Sequence, residues 1–337
     1  MRDVKDYSLK AHNTFGIEAC CRRFVEFASL DEAREAARMA REEGGELLIV
    51  GGGSNLLLTK DFDGLVLHSA ILGVDALKRD GEVLVTAGSG VEWDWLVSYC
   101  TAQGWHGMEN LSLIPGDVGA SAVQNIGAYG AEAKAIIDRV QAVRISDGEV
   151  VWFSNEECRY GYRESRFKHE WKNKYLITNV VYRLSERFEP RLDYGNLRSE
   201  LQRKGISEPT AEQLRQVVID VRRAKLPDPK ELGNAGSFFM NPVVGREQFD
   251  RLLADNPQMP HYYIDEAHEK VPAGWLIDQC GWKGRTVGRA GVHDKQALVL
   301  VNRGGATGQE IVALCQSIQH DVQEKFGIVI QPEVNII

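Results

Sequence analysis

Leu30, Ala33, Ala36, Ala37 and Ala40 recur at helical spacing among Glu and Arg, Leu47-Leu48-Ile49-Val50 reads as a short buried strand, and Gly51-Gly52-Gly53-Ser54-Asn55 follows at once. Helix, strand and glycine turn in that order make an α/β unit, which restricts this part of the chain to a helix packed on a sheet. Ser29 and Asp31 stand where an N-cap would, so the helix is expected over 30–43. Strand-like runs return at 64–68, 82–87, 140–145, 150–153 and 175–184, with a helix over 92–103 ending at Gly104. Near residue 200 the texture changes. Ser199–Glu208 reads as a polar surface connection, and a helix over 211–223 runs into Lys225-Leu226-Pro227-Asp228-Pro229, whose prolines fix an extended path. The remainder mixes helices (246–254, 272–280, 308–326) with short strands (297–302, 328–331). At 337 residues, the α+β chain is expected to form two or three domains.

A net charge of −8 with no Lys/Arg-rich block gives no nucleic-acid face. No stretch approaches the roughly 20 apolar residues of a membrane span, and Met1-Arg2-Asp3-Val4-Lys5-Asp6 has no signal-peptide pattern. The six cysteines form no Cys-x-x-Cys and are expected as reduced thiols in a cytoplasmic protein. The eight histidines include no pair at i, i+4 beside a carboxylate, so no metal site is expected.

Several motifs carry chemistry, each with a plainer alternative. Gly51–Gly53 lets backbone N–H groups approach a pyrophosphate, or is a tight turn between two buried strands. Ile114-Pro115-Gly116-Asp117-Val118-Gly119-Ala120-Ser121-Ala122-Val123-Gln124-Asn125-Ile126-Gly127-Ala128-Tyr129-Gly130 combines small residues with amides and hydroxyls. It suits a flat heterocycle and phosphates lying on backbone, with Gln124-Asn125 on a ring edge such as a flavin's pyrimidine; otherwise it is an irregular crossover. Arg163, next to Tyr162, offers a fork that fits a carboxylate or enolate, or pairs on the surface with Glu164. Lys225 is a cation held for a phosphate, or the snorkelling end of its helix. Tyr194, in Leu192-Asp193-Tyr194-Gly195-Asn196-Leu197, closes over a ligand or is a simple turn tyrosine. In Asn234-Ala235-Gly236-Ser237-Phe238-Phe239-Met240-Asn241-Pro242, a hydroxyl between aromatic rings with amides beside it can orient a ligand and deliver a proton. Gln331-Pro332-Glu333-Val334 adds a glutamate from the far end of the chain.

Taken in order, these motifs closely resemble one family, the UDP-N-acetylenolpyruvoylglucosamine reductases, MurB-type flavoenzymes of bacterial cell-wall synthesis. The resemblance runs from Asn13-Thr14-Phe15-Gly16 through Tyr160-Gly161-Tyr162-Arg163 and Ala273-Gly274-Trp275-Leu276-Ile277-Asp278 to Pro332-Glu333-Val334. It implies an FAD-binding module of the para-cresol-methylhydroxylase type in two subdomains (1–70 and 71–210) and a C-terminal α/β substrate-binding domain (211–337). The subtype with a tyrosine loop is implied by Asp193-Tyr194-Gly195-Asn196-Leu197. Non-covalent FAD is implied at Gly51, Gly52, Gly53, Ser54, Asn55, Ile114, Pro115, Gly116, Gln124, Asn125, Gly127 and Ala128. The substrate, UDP-N-acetylglucosamine enolpyruvate, is implied at Tyr162, Tyr194, Lys225 and Asn241, with NADPH as co-substrate. Arg163, Ser237 and Glu333 are the implied catalytic residues: hydride from flavin N5 goes to the vinyl carbon, a proton comes from Ser237, and Arg163 and Glu333 stabilise the enolate. A monomer is expected. Asp117 departs from the family, standing where some members have a small or thiol residue. Two other classes stay open: a sugar oxidase on the same fold, and a non-catalytic nucleotide-sugar binding protein.

Overall fold

The first helix occupies Leu30–Glu43, as its spacing predicts. Ser29 Oγ accepts from the Glu32 amide at 3.2 Å, and the Glu32 carboxylate accepts from the Ala28 amide at 2.7 Å, so two amides at the helix start are satisfied. The computed structural model describes residues 1–337. The chain divides into two compact units, 1–7 with 21–52 and 63–222, and 8–20 with 53–62 and 223–337.

In the first unit a four-stranded sheet runs in the order Arg2–Ser8, Cys20–Phe27, Phe62–Ser69, Glu46–Val50. The last two strands are parallel, with Leu48 opposite Val66. A five-stranded antiparallel sheet runs Val150–Ser154, Ile137–Arg144, Tyr175–Ser185, Glu82–Gly88, Val74–Arg79. Ala33, Ala36, Ala37 and Met39 of the first helix form one core with Val25, Phe27, Leu65 and Leu67 of the first sheet and with Val143 and Leu176 of the second. Alanine is the side chain that lets a helix lie this close to both. Cys20 is exposed and Cys21 buried, because neighbours on a strand point to opposite faces. The thiols of Cys100, Cys158 and Cys315 are buried, which pushes Cys158 up to about 11 and the other two up to about 12.

Other elements differ from expectation. Val118–Gln124 is a helix. Its small residues serve packing: a Cβ on Gly119 would lie 2.9 Å from Ser89 Cβ, and Ser121 Oγ lies 2.7 Å from Tyr182 Oη. Leu197–Arg203 is also a helix, not a plain connection. Leu197 and Leu201, one turn apart, bury against Leu214, Val217, Val218 and Val221 of the helix Ala211–Lys225.

The second unit holds two three-stranded sheets. One is Val243–Gly245, His268–Lys270 and Tyr262–Asp265; the other is Thr286–Val287, Ala290–Val292 and Leu300–Asn302. Its long helix, Gly308–Phe326, carries a full capping box of Thr307 and Glu310 and ends on Gly327 in the left-handed conformation. The expected strand at 328–331 does not form. That segment makes single backbone bonds, with one bridge between Phe239 and Pro332. Gly53 has φ +63, and a Cβ there would stand 1.9 Å from His12 O, so only glycine lets the short segment 53–62 lie against 8–20.

Candidate active site

The glycine turn of the first unit faces the segment at 116–120. A Cβ on Gly52 would lie 3.1 Å from Gly116 Cα, and one on Gly51 would lie 3.2 Å from Asp117 Oδ2. The Gly52 amide donates to the Asp117 carboxylate. Burial is the main reason this carboxyl is pushed up to about 6. Glu92 adds to the rise, and His68 and the Gly52 amide oppose it. Backbone stripped of side chains, with an amide turned toward a carboxylate, resembles the environment a dinucleotide's phosphates need. The residues present therefore fit FAD at Gly51, Gly52 and Gly116, with Ile114 half-buried and Pro115 exposed beside them. Gln124 closes the helix Val118–Gln124, and Gly127-Ala128 pairs with Ala131-Glu132 in a short hairpin.

Asn125 is buried and its side chain is engaged inside the protein. It donates to Gly161 O at 2.6 Å and to Glu132 Oε2 at 3.2 Å, and accepts from the Lys134 amide at 2.9 Å. The segment carrying Arg163 is thereby fixed to the end of the helix Val118–Gln124. Arg163 Nη2 donates to Gly127 O at 2.5 Å, Nη1 reaches Asn125 O at 3.5 Å, and the guanidinium lies 5.2 Å from the centroid of the half-exposed Tyr162 ring. A Cβ on Gly127 would stand 2.7 Å from Arg163 Nη1, so this contact requires glycine. Glu164, the alternative surface partner, is engaged by His169 and by Lys168.

Leu113, Asn125, Tyr129 and Arg163 all have positive φ, between 46° and 57°. Such residues cost on the order of 1–3 kcal/mol each and persist where the surroundings hold them, characteristically at functional sites. Sequence reasoning missed one cation that belongs here. Arg222, on the helix Ala211–Lys225, donates to Leu113 O at 3.2 Å. Burial lowers its guanidinium below the ordinary value and Arg163 lowers it further, while Tyr129 and Asp94 oppose the change. The only signal in the sequence was Arg222 standing one turn before Lys225. Lys225 is exposed at the helix end.

Asn110 Nδ2 donates to both Tyr129 O and Arg191 O at 2.9 Å, which ties the loop carrying Tyr194 to the glycine-rich segment. Tyr194 is half-exposed, and a Cβ on Gly130 would lie 3.0 Å from its Cβ.

In the second unit, Asn234 shapes the turn before Ser237. Its Oδ1 accepts from the Gly236 amide at 2.9 Å, and its Nδ2 donates to Leu232 O at 2.8 Å and Pro227 O at 3.3 Å. Gly236 then turns at φ +68 and leaves Ser237 exposed, while Phe238 and Phe239 are buried. The Glu333 amide donates to Phe238 O at 2.8 Å and the Met240 amide to Gln331 O at 2.9 Å. Ser237 and Glu333, nearly a hundred residues apart in sequence, therefore sit on neighbouring rungs of one short antiparallel pairing. Asn55 Nδ2 donates to Glu333 O at 3.2 Å, so within this unit the segment 53–62 is tied to the C-terminal segment. Asn241 Oδ1 accepts from the Ala273 amide at 3.0 Å, at the start of the helix Ala273–Gln279.

Known proteins are similar to this chain along nearly its whole length. Residues 21–154 match the FAD binding domain family, and residues 228–337 match the C-terminal domain of UDP-N-acetylenolpyruvoylglucosamine reductase. A UDP-N-acetylenolpyruvoylglucosamine reductase from Bacteroides fragilis is 54% identical over 333 residues, covering 98% of this chain and 99% of the relative. This chain belongs to that family. The reductase of Chromobacterium violaceum is 48% identical over 98% of each chain. Among solved structures, the family member from Thermus caldophilus aligns with a TM-score of 0.68 at 23% identity, over 99% of this chain and 98% of that one. The 6-hydroxy-D-nicotine oxidase of Arthrobacter nicotinovorans aligns at 0.55 and 13% identity, over 97% and 86%, and shares the fold. The fold class is the expected one: an FAD-binding module of the para-cresol-methylhydroxylase type followed by the family's C-terminal domain. No helix is long and apolar enough to cross a membrane.

Proposed function

We propose that this chain reduces UDP-N-acetylglucosamine enolpyruvate to UDP-N-acetylmuramate in peptidoglycan synthesis, with NADPH as reductant, acting as a cytoplasmic monomer. Family membership supports the reaction class. The observation that carries the reading is the backbone bond from Glu333 to Phe238, which holds the segment bearing Ser237 beside the segment bearing Glu333. In this reading residues 1–70 and 71–210 hold FAD and residues 211–337 hold the substrate. Bound FAD supplies two-electron chemistry between NADPH and the vinyl carbon of the substrate.

The chain's own residues do the rest. Addition at the vinyl carbon drives negative charge onto the adjacent carboxylate. Arg163 is a fixed cation whose planar fork suits that charge, and it is held in advance by Gly127 O and the Tyr162 ring. Glu333 shares a proton with the same carboxylate. Ser237 gives its hydroxyl proton to the ether-bearing carbon, and the alkoxide left behind is reprotonated through its neighbours. A serine hydroxyl is a weak acid, so it acts only at the high-energy enolate. Gly51, Gly52, Gly53, Ser54, Asn55 and Gly116 hold the cofactor's phosphates. Lys225 and Asn241 orient the substrate, and Tyr194 covers it.

Two outcomes check the binding roles. Denaturing the purified yellow protein is expected to release all colour into the supernatant, because FAD is held without a covalent bond; colour in the pellet contradicts this. Tyr194→Ala is expected to raise the KM for the enolpyruvyl substrate severalfold and leave flavin reduction by NADPH nearly unchanged. An equal loss in both half-reactions makes Tyr194 a structural residue, not a cover.

A further inference from the structure

We propose that Asp117 is a proton-linked placeholder in the cofactor's diphosphate site: its carboxyl takes the amide a phosphate needs, and FAD binding is coupled to proton uptake there. The inference rests on the reading of Gly51–Gly52 as the phosphate cradle. Asp117 stands at the N-cap position of the helix Val118–Gln124 but makes no capping bond with its side chain. The carboxyl turns to the glycine turn instead. Its Oδ2 lies 3.2 Å from where a Gly51 Cβ would be, its Oδ1 lies 3.4 Å from the corresponding point on Gly52, and it accepts the Gly52 N–H. The backbone on either side is fixed. Trp93 N donates to Gly116 O, and Val118 N donates to Val91 O, each at 2.9 Å. The main chain that carries the carboxyl is thus held beside the glycine turn.

The charged groups facing Asp117 are few. His68, on the strand Phe62–Ser69, favours the ionised form, and its Nδ1 lies 3.1 Å from Val50 O at the start of the same turn. Glu92, before the helix Trp93–Ala102, disfavours it. Burial raises the carboxyl to about 6, so without cofactor it is mostly ionised at neutral pH. A diphosphate placed against it adds like charge and raises it further. The sign follows. Well below pH 6 the carboxyl is protonated in both states and donates to a phosphate oxygen, so affinity does not vary with pH there. Above that, binding takes up a proton, and affinity falls as pH rises until the bound form ionises too.

The test is a dilution series of the flavin-loaded full-length chain from pH 5.5 to 8.5, with release read from FAD fluorescence. The dissociation constant is expected to rise by up to roughly tenfold per pH unit above about 6, the limit for one linked proton. Asp117→Asn keeps the acceptor for the Gly52 amide and removes the charge. It is expected to flatten the profile and bind FAD at least roughly tenfold more tightly at pH 8. Asp117→Ser, a second neutral replacement, is expected to flatten it as well. A flat profile in the unsubstituted chain overturns the proposal without any variant. So does a profile unchanged in both Asp117 variants but lost in His68→Gln, which assigns the proton to the histidine. A chain that retains no FAD at any pH overturns this inference together with the reading beneath it.

Discussion

Replacing Ser237 by alanine is expected to leave flavin reduction by NADPH at close to its normal rate and to slow product formation at least roughly 10²-fold, the scale of a lost general acid. The split follows from the chemistry, because no proton from Ser237 is needed until the enolate exists. The fold should not suffer. Ser237 is exposed, and the turn is held by Asn234 and by backbone bonds from Phe238 to Leu298 and from Glu333 to Phe238. Ser237→Cys should recover part of the rate, since a thiol is also a donor. Stopped-flow on the two halves separately, with deuterium incorporation at the protonated carbon, reads the effect. Normal reoxidation by substrate in Ser237→Ala would make Ser237 a loop residue and move the acid to Glu333.

Arg163→Met should cost a further class of interaction, roughly 10²–10³-fold in the second half-reaction, the scale of a removed donor at a developing oxyanion. Arg163 spends one of its donors on Gly127 O, so the variant also leaves that carbonyl without this bond. Arg163→Lys separates the two effects. It retains the charge without the fork and should return only part of the rate. Flavin reduction by NADPH and FAD content should stay near normal in both variants. A matching loss of bound flavin would show that Arg163 holds the glycine segment and has no part in the chemistry.

Much of the fold is legible where local signals agree with tertiary demand. The helices at Leu30–Glu43 and Gly308–Phe326 have periodic apolar faces and side-chain caps, and both stand where the sequence puts them. The helix Val118–Gln124 is not legible, because glycine, alanine and serine carry no apolar period. It forms because Gly119 and Ser121 fit against Ser89 and Tyr182. Leu197–Arg203 offers too short an apolar stripe to stand apart from its polar surroundings. At the site, the sequence displays the motifs but not the bonds among them. Nothing local foretells that Glu333 pairs with Phe238, that Asn125 spends its side chain on Gly161 and Lys134, or that Arg222 turns inward to Leu113. Apart from the Asn125–Lys134 bond, these join segments far apart in the chain.

The central claim is that electrons from NADPH end on the enolpyruvyl carbon. Its direct test is an anaerobic titration of the purified chain followed in the visible spectrum. NADPH should bleach the flavin. UDP-N-acetylglucosamine enolpyruvate, added next without oxygen, should restore the colour with one UDP-N-acetylmuramate formed per flavin. Colour that stays bleached with the substrate and returns only when oxygen is admitted would contradict the account and make the chain an oxidase on the same fold.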